Sequence, residues 1–417
     1  MAPERHDSAP DPSPPHNTAI ATAEPPRKQR PRKIGRRHLV TRAATGLATL
    51  GALASGAAAV VAATRPVAAQ GATAGPQHNT TGGHLGNHQG LIPPPQGALT
   101  NAIVAHDHGV QMTVGDVDTA AMGYDPTTYL TTFDYGTAST LPDGRTLRDY
   151  RIIAADKEIE IAPGIFFPAW TYNGQVPGPT IRCNEGDRLR INFTNNGSHP
   201  HTIHFHGIHS SFMDGVTGIG RGNINPGESF TYEFDARPFG CHLYHCHSTP
   251  LKRHIHKGLY GAFIINPDPA KHGNAAKERH PDHAESRRWQ EFVMIMNAFD
   301  TTFDGANEVY AVNTVAFHYM KHPIRVERDR PVRVYLINMT EFDPINSFHL
   351  HANFFDYYDH GTTLEPTLRT VDTIMQCQAQ RGILEFSFAG FEPGLYMFHA
   401  HQSEFPELGW MSAFEVV

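Results

Sequence analysis

The sequence predicts an all-β protein with two β domains of similar size. From about residue 148 onward, short segments of alternating polar and apolar residues are separated by Gly, Pro, Asn and Asp, and amphipathic helical runs do not appear. The same pattern returns after a polar connector at residues 268–288. The chain has 417 residues, 40% of them hydrophobic, which is enough apolar material for two or three cores. Each half is therefore expected to form a β-sandwich or barrel.

The first 70 residues have the organisation of an export signal. Residues 1–33 are too polar to form a core, and we expect them to be disordered. Arg36 and Arg37 then precede an Ala/Gly/Leu-rich stretch at 43–64 and small residues at 67–69. Paired arginines before a weakly hydrophobic stretch favour the twin-arginine route, so we expect a secreted, periplasmic or cell-envelope protein. The alternative is a membrane anchor, because the stretch is long enough to span a bilayer.

Four regions follow from these patterns. Residues 1–70 are the signal and its extension, and residues 71–125 are a linker or arm rich in His, Gly and Pro. Residues 126–268 and 286–417 are the two β domains. No segment after the signal approaches the length of a membrane span, so we expect no stable membrane insertion.

Charge and cysteine content exclude other classes of protein. The formal net charge is −7, and because residues 1–70 hold ten Lys/Arg against four Asp/Glu, the remainder carries −13. Such an acidic body is a poor partner for nucleic acid. The four Cys are too few for a disulfide scaffold. Export would permit a disulfide between Cys183 and Cys241, but buried thiols explain them equally well, and Cys377 would be left free.

The chain contains an internal repeat that carries many of its 28 histidines. Residues 189–206 correspond to 334–351, and residues 239–247 correspond to 393–401. Four His-x-His pairs fall at corresponding positions. They are His204 and His206, His245 and His247, His349 and His351, and His399 and His401. Because residues i and i+2 of a strand share a face, each pair directs two imidazoles to one place, and eight of them predict a metal cluster.

A second metal site is predicted around Cys246, which lies between His245 and His247 and faces away from them. We propose His201, Cys246 and His254 as its ligands, since two histidines and a thiolate form the trigonal site of blue copper. Leu259 takes the axial position, where a Met is often found. His256 is an alternative to His254, although a bystander role fits it better.

The second half lacks this site. Asn346 and Ala400 occupy the positions that match His201 and Cys246, and no histidine follows His401. The duplicated domain therefore keeps the paired histidines and has lost, or never had, the thiolate centre.

These residues resemble the multicopper oxidase family over residues 150–417. Residues 173–181, Asn-Gly-Gln-Val-Pro-Gly-Pro-Thr-Ile, resemble its first-domain entry motif, and His245-Cys246-His247 with the later His-x3-Gly-Leu resembles its blue-copper signature. With two domains and the thiolate in the first, the chain is similar to the two-domain laccase subgroup, which is related to the copper nitrite reductases. The resemblance implies two cupredoxin-like Greek-key β-sandwich domains.

The resemblance also implies a ligand set and a reaction. His204 and His349 would hold a type 2 copper, and the other six paired histidines would hold two type 3 coppers. With the type 1 copper this makes four coppers per chain. The trinuclear cluster would form between domain one of one subunit and domain two of another, giving a homotrimer. A phenol, aromatic amine or metal ion would be oxidised by one electron at the type 1 copper, and O2 would be reduced to water by four electrons.

Two carboxylates are candidate proton donors for oxygen reduction. Asp214 resembles the family's acidic position near the type 2 copper, although its Asp-Gly sequence also suits a turn. Glu404, three residues after His401, is the weaker candidate. Two other functions are considered. A copper nitrite reductase is disfavoured by His204 and His247, and a non-catalytic copper-binding or electron-transfer protein is disfavoured by the four histidine pairs.

Overall fold

The computed structural model describes residues 112–417. The predicted signal at 1–70 and residues 71–111 of the predicted arm lie outside the described residues. Within the described range the chain is mostly strand, and it forms four sheets that make two β-sandwiches. The predicted all-β, two-domain fold is confirmed.

Domain one has one sheet in the order β1-β2-β5-β7, with β3 paired to β2, and a second in the order β4-β9-β8-β6. Its strands are β1 (Thr137–Thr140), β2 (Thr146–Ala162), β3 (Ile165–Tyr172), β4 (Gly178–Asn184), β5 (Arg188–Asn195), β6 (His204–Phe205), β7 (Ser229–Asp235), β8 (Gly240–His245) and β9 (Tyr260–Asn266).

Domain two has one sheet in the order β11-β10-β13-β18-β15-β16 and a second in the order β12-β20-β19-β14-β17. Its strands are β10 (Gln290–Phe299), β11 (Val309–Val312), β12 (Ile324–Val326), β13 (Val332–Asn338), β14 (Ile345–Leu350), β15 (Phe355–Asp359), β16 (Leu368–Val371), β17 (Thr373–Cys377), β18 (Arg381–Phe386), β19 (Gly394–His399) and β20 (Met411–Val416).

The helices are short and lie in the connections. They are α1 (Thr119–Met122), α2 (Pro126–Tyr129), α3 (Leu251–His256), α4 (Pro269–His272), α5 (Asn274–Lys277), α6 (His318–Lys321) and α7 (Glu404–Glu407), with 3-10 turns at Ser211–Met213 and Ala284–Arg288. None of the helices described is long and apolar enough to cross a membrane.

Strand pairing repeats between the domains, as the internal repeat predicts. In domain one β2 pairs in parallel with β5, which pairs antiparallel with β7, and β4 pairs in parallel with β9. In domain two β10, β13 and β18 repeat the first arrangement, and β12 with β20 repeats the second. Parallel neighbours require connections that cross between sheets, as in a Greek-key sandwich.

Alternation along the strands explains where the core lies. In β5 the odd-numbered apolar residues Leu189, Ile191 and Phe193 are fully buried, while the even-numbered residues are polar. Strands β10 and β13 are instead buried along most of their length, because domain one covers the outer face of their sheet. The apolar core is thus continuous from one domain to the other.

A buried ionic network also joins the domains. Arg182 of β4 donates to Glu291 of β10, with Nη1 2.8 Å from Oε2, and Arg333 of β13 donates to the other oxygen of that carboxylate at 3.0 Å. Arg333 also donates to Glu385 at 2.7 Å. Burial alone would raise the pKa of Glu291. The two guanidinium groups, Arg182 more than Arg333, outweigh burial and hold that pKa at about 2.

The predicted arm differs from the structure over its last residues. Met112, Met122 and Tyr124 are buried in the core that joins the two domains, so residues 112–125 belong to the folded body. Asp118 caps α1 by accepting from the backbone N–H of Ala121 at 2.9 Å. Because three large apolar side chains are widely spaced among polar ones, the sequence shows no period there, and only tertiary packing reveals their burial.

The cysteines are free thiols. Cys183 and Cys241 are both buried and do not form the disulfide that export would permit, and Cys377 is exposed. Burial raises the pKa of the Cys183 and Cys241 thiols, which are therefore inert apolar groups in the core.

Candidate metal centres

The predicted thiolate centre is assembled from three separate parts of domain one. His201 lies between β5 and β6, Cys246 follows the last residue of β8, and His254 lies in α3. His201 Nδ1 is 3.2 Å from His254 Nδ1, and Cys246 Sγ is 3.2 Å from His254 Nδ1 and 3.9 Å from His201 Nδ1. All three residues are buried.

This donor set fits a trigonal copper ion. Three donors bound at about 2.0–2.3 Å and spread evenly around one metal lie about 3.5–4 Å apart, close to the observed spacing. Burial, followed by the neighbouring histidine, lowers the pKa of His201 to about 3, and burial lowers that of His254 to about 4, so both rings are neutral ligands at neutral pH. Burial raises the pKa of the Cys246 thiol, and the Thr202 backbone N–H, which donates to Sγ at 3.3 Å, opposes this by favouring the thiolate.

The two remaining predictions about this centre concern Leu259 and His256. Leu259 is fully buried, and its carbonyl accepts from the Cys246 N–H at 2.9 Å, which keeps it beside the centre. His256 turns away from Cys246: its Nε2 accepts from the Asp300 backbone N–H at 3.0 Å, and its ring contacts Phe167 and Phe342. The bystander interpretation of His256 agrees with these contacts.

The four paired histidines of domain one form one cluster. Strands β6 and β8 pair so that His204 lies opposite His245. The His204 ring centre is 5.0 Å from that of His206, 5.3 Å from that of His245 and 5.5 Å from that of His247. His206 Nε2 and His245 Nε2 are 3.2 Å apart. We refer to these four residues as the domain-one cluster.

Domain two repeats the arrangement in what we call the domain-two cluster, formed by His349, His351, His399 and His401. Strands β14 and β19 pair His349 with His399. The His349 ring centre is 4.9 Å from that of His351 and 5.2 Å from that of His401. His351 Nε2 and His399 Nε2 are 2.8 Å apart, as the duplication predicts.

Hydrogen bonds to carbonyl oxygens fix which ring nitrogen is available in each cluster. A carbonyl only accepts, so a ring nitrogen that bonds to it carries the hydrogen and leaves the other nitrogen free for a metal. His204 Nδ1 donates to the Asp214 carbonyl at 2.8 Å, and His349 Nδ1 donates to that of Asp372 at 3.0 Å. His245 donates through Nδ1 to the Cys246 carbonyl in the same way. Each of these rings therefore presents Nε2 to its cluster.

The lowered pKa values of the cluster histidines, and one buried ring nitrogen that has no hydrogen-bond partner, also suit metal binding. Burial, then the neighbouring histidine, lowers the pKa of His206 to about 2, and burial lowers that of His245 to about 3. Burial also lowers the pKa of His351 and His399. His247 Nδ1 is buried without a hydrogen-bond partner. Neutral imidazoles with unused lone pairs are metal ligands, so the residues fit copper.

The two clusters do not meet within one chain. Over residues 112–417, no ring contact or hydrogen bond joins a histidine of one cluster to a histidine of the other, and the groups of close donor atoms are separate. A contact that does cross between the domains is the Arg381 guanidinium of β18, which lies 3.5 Å from His206 Nδ1. Each cluster therefore stands by itself in the single chain.

The two carboxylate candidates lie in different surroundings. Asp214 Oδ1 is 3.1 Å from His204 Nδ1 and 3.8 Å from His209 Nε2, so this side chain contacts the domain-one cluster. Glu404 begins α7 and is exposed, and its charge acts on Tyr310. The geometry favours Asp214 over Glu404.

Sequence reasoning missed several residues that contact the centres. Asp372 and Thr373 hold His349 Nδ1, Arg381 reaches His206, and Trp170 packs on His201 and His254 with ring centres 5.1 and 4.8 Å apart. The sequence could have indicated Asp372 and Thr373 only if the register of β14 with β17 had been known, because that register places Thr373 opposite His349. The others follow from packing between distant segments.

The fold and the centres define a class: a two-domain β-sandwich metalloprotein with one thiolate centre and two histidine clusters. Multicopper oxidase family models match residues 155–270 and residues 287–417. The chain belongs to the multicopper oxidase family, which is a family of oxidoreductases. This confirms the resemblance noted from the sequence.

Curated relatives match over limited stretches. A laccase of Aspergillus fumigatus, abr2, is 44% identical over 100 residues, which is 23% of this chain and 16% of the laccase. A copper-containing nitrite reductase of Neisseria meningitidis is 33% identical over 132 residues, which is 29% of this chain and 32% of the reductase. The matched stretches thus span less than a third of each relative.

Solved structures match over more of the chain. A protein described as a multicopper oxidase is 56% identical with a TM-score of 0.67, and the match covers 72% of this chain and all of that one. A blue copper oxidase from Nitrosomonas europaea is 26% identical with a TM-score of 0.55, over 65% of this chain and 86% of that one. A copper nitrite reductase from the same organism, 23% identical with a TM-score of 0.55 over 65% of this chain and 94% of that one, shares the fold.

Proposed function

We propose that the protein is a laccase-like oxidase that couples one-electron oxidation of a phenol, an aromatic amine or a metal ion to four-electron reduction of O2 to water. The observation that carries the proposal is the presence of the thiolate centre and of two clusters with four histidines each in the same chain. An electron-transfer protein needs only the first. Bound copper would supply one-electron redox chemistry at the thiolate centre and oxygen reduction at the clusters.

The chain connects the thiolate centre to the domain-one cluster covalently. Cys246 is flanked by His245 and His247, and its backbone carbonyl accepts from His245 Nδ1 at 2.9 Å. Cys246 is bonded directly to a cluster histidine on each side. An electron on its sulfur would therefore cross only one peptide link to reach either of them. Burial of Cys246 excludes water from this path.

We propose that a complete cluster forms between copies of the chain, giving a homotrimer. The domain-two histidines His351 and His401 are exposed in the single chain, as an unfinished site requires. Exposed apolar side chains lie near both clusters: Ile208 and Phe212 follow His206, and Phe354 follows His351, with 52%, 54% and 54% of their surfaces exposed. Such side chains suit burial against a second copy.

The nitrogen positions support a division of the ligands. His204 and His349, each held through Nδ1, would share the type 2 copper. His206 with His245, and His351 with His399, whose Nε2 atoms are already close, would each begin a type 3 site. His247 and His401 would complete the type 3 ligand set.

We assign proton delivery to Asp214. Its carboxylate lies beside His204 and His209 and is partly exposed, so it can exchange protons with solvent and with groups at the cluster. Its backbone carbonyl independently orients His204. A substitution of the Asp214 side chain therefore tests proton delivery and leaves in place the backbone carbonyl that orients His204.

A copper nitrite reductase is the second candidate, and the relationship to the Neisseria enzyme favours it. That reaction needs the thiolate centre and one further copper. His204 and His247, which the nitrite reductase pattern lacks, lie within the domain-one cluster here and are surplus to a single further copper. We therefore place oxygen reduction first.

The test is to count copper and follow both acceptors in the purified full chain. The proposal expects four coppers per chain, an intense blue thiolate absorption, a trimeric mass by light scattering, and O2 uptake with a phenolic donor. Two coppers per chain with nitrite-dependent production of nitric oxide would instead establish the reductase. One copper without uptake of either acceptor would indicate an electron-transfer protein.

Export by the twin-arginine route is also part of the proposal. Its support is the sequence of residues 35–69 alone. Replacing Arg36 and Arg37 by Lys is expected to keep the protein in the producing cell's cytoplasm, which fractionation measures. Export that persists in this variant would contradict the assignment.

A further inference from the structure

Three cations around α3 have no carboxylate partner. Lys252, Arg253 and Lys257 take part in no salt bridge, although most arginines of the described chain do. Each lies over an aromatic ring: Lys252 is 4.1 Å from the Phe342 ring centre, Arg253 is 5.2 Å from that of Trp170, and Lys257 is 4.9 Å from that of Phe303. These contacts hold the cations in place without neutralising them.

Arg253 lies next to the thiolate centre. Arg253 precedes the ligand His254, and Trp170, which carries Arg253, has its ring centre 4.8 Å from that of His254. Arg253 is exposed, whereas His254 and Trp170 are 3% and 4% exposed. A donor molecule that approaches His254 from solvent therefore meets Arg253 first.

Domain two adds an aromatic surface beside these cations. Phe303 is 54% exposed, and it stacks on Phe167 with ring centres 5.9 Å apart. Phe342 packs against His256 at 4.9 Å. We call Trp170, Phe303, Phe342 and the three cations the cationic aromatic face.

The neighbouring carboxylates form no salt bridge with these cations. Asp300, Asp304 and Glu308 cluster with one another; Asp300 accepts from the backbone N–H groups of Asp304 and Gly305, and Glu308 accepts from Thr301. Asp156, the acidic group that acts on Lys257, accepts from the Ser198 N–H at 3.2 Å. Lys252 and Arg253 are exposed and can meet an anion, whereas Lys257 is only 7% exposed.

We infer that the cationic aromatic face selects aromatic donors that carry a carboxylate or sulfonate group. The donor ring packs on the exposed Phe303, and its anionic group meets the exposed Arg253, which precedes the ligand His254 in the chain. The inference rests on the proposed oxidase function and names the donor class for that site. It concerns binding and adds no redox step of its own.

The kinetic test compares an anionic donor, syringate, with its neutral methyl ester in the copper-loaded full chain, and the difference in their intrinsic reactivity cancels when each variant is compared with the wild type. Arg253→Gln is expected to lower the ratio of kcat/KM for syringate to that for methyl syringate about fivefold, the size of one exposed charge interaction. Arg253→Lys should keep most of the ratio. Arg325→Gln, which removes an exposed charge from β12 in domain two, is the matched control and should keep all of it.

A binding measurement separates this inference from the proposed function. Naphthalene-2-sulfonate is not a laccase-type donor, and its affinity relative to naphthalene-2-sulfonamide is measured by calorimetry on the same proteins. We expect the sulfonate to bind more tightly to the wild type, and the preference to fall about fivefold in Arg253→Gln and by less in Lys257→Gln, because Lys257 is buried. Added salt should weaken the preference, because Arg253 faces solvent.

The outcomes are distinct. If methyl syringate supports O2 uptake but Arg253→Gln and Lys257→Gln leave both preferences as in the wild type, the inference is wrong and the oxidase function stands. If neither donor is oxidised, the proposed function fails, and the sulfonate preference still decides whether the face binds aromatic anions.

Discussion

Domain one and domain two share strand order and paired histidines, but only domain one has a thiolate centre. In domain two the corresponding space is filled. Asn346 stands where His201 does, and its side chain donates to Thr340 at 2.9 Å and accepts from Trp410 Nε1 at 3.1 Å. By the pairing of β8 with β9 and of β19 with β20, Trp410 occupies the position of Leu259.

The comparison shows how one sandwich serves two purposes. In domain one, two neutral imidazoles and the Cys246 sulfur surround a space that a copper ion would fill. In domain two, the fully buried indole of Trp410 fills that space and donates a hydrogen bond to the Asn346 amide oxygen. The histidine clusters survive in both because they lie on the opposite face of the same strands, where the i and i+2 residues point.

The largest expected effect comes from removing the sulfur. Cys246→Ser should abolish the blue absorption and donor oxidation, since a hydroxyl is a poor copper ligand, while the cluster copper stays bound. Absorption spectroscopy, copper analysis and O2 uptake measure this. Ala400→Cys in domain two is the matched control and should create no blue centre, because Trp410 fills the space. A blue Cys246→Ser protein would disprove the ligand set.

The next effect concerns the boundary between the domains. Glu291→Gln leaves Arg182 and Arg333 without a full counter-charge and should lower the free energy of unfolding at neutral pH by about 3 kcal/mol. Because the folded pKa of Glu291, about 2, lies below its ordinary value of 4.5, its stabilisation is complete above about pH 4.5 and is lost as the pH falls toward 2.

Denaturant unfolding at several pH values tests this prediction, with the exposed Glu158→Gln as control. The wild type should lose stability more steeply than Glu291→Gln between pH 4.5 and 2. Parallel pH curves for the two proteins would show that the carboxylate does not stabilise the boundary.

Domain two should depend on the residue that replaces the metal. Trp410→Leu, which copies Leu259, leaves a cavity and removes one of the two hydrogen bonds that the Asn346 oxygen accepts, and should cost about 2–4 kcal/mol of unfolding free energy. Thermal unfolding followed by calorimetry measures the loss. A stability equal to that of the wild type would mean that the indole is not what fills the space.

The smallest expected effect concerns the carboxylates that lie beside the two histidine clusters. Asp214→Asn should slow O2 reduction several-fold while leaving reduction of the thiolate centre by the donor fast, because the proton donor is lost but the Asp214 carbonyl still orients His204. Asp372→Asn, at the equivalent histidine of domain two, has its carboxylate 3.9 Å from His349 and should change the rate less. Stopped-flow measurement of both half-reactions distinguishes them, and equal rates in Asp214→Asn would remove it from the mechanism.

Sequence reasoning was most successful where the signal is local. The paired histidines were found because a strand has a period of two, and the internal repeat placed them at equivalent positions in both domains. Cys246 was identified from its place between His245 and His247. His201 and His254 were proposed from spacing, and the structure brings both within 3.9 Å of the sulfur.

It failed where contacts join distant segments. The burial of Met112, Met122 and Tyr124, the reach of Arg381 to His206, and the filling of the domain-two site by Trp410 have no periodic signal. The alternative disulfide between Cys183 and Cys241 could not be decided from spacing, since pairing depends on how β4 and β8 are placed in the sheet.

The sequence by itself determined the all-β fold, its duplication and which imidazoles share a face, because these follow from alternation along a single strand. Only the tertiary structure decided that the two clusters stay apart within one chain, that Asp214 and not Glu404 contacts a histidine, and that the exposed Arg253 packs on the Trp170 ring beside His254. These depend on how sheets and loops pack against each other, and packing energy is spread over many residues that are far apart in the chain.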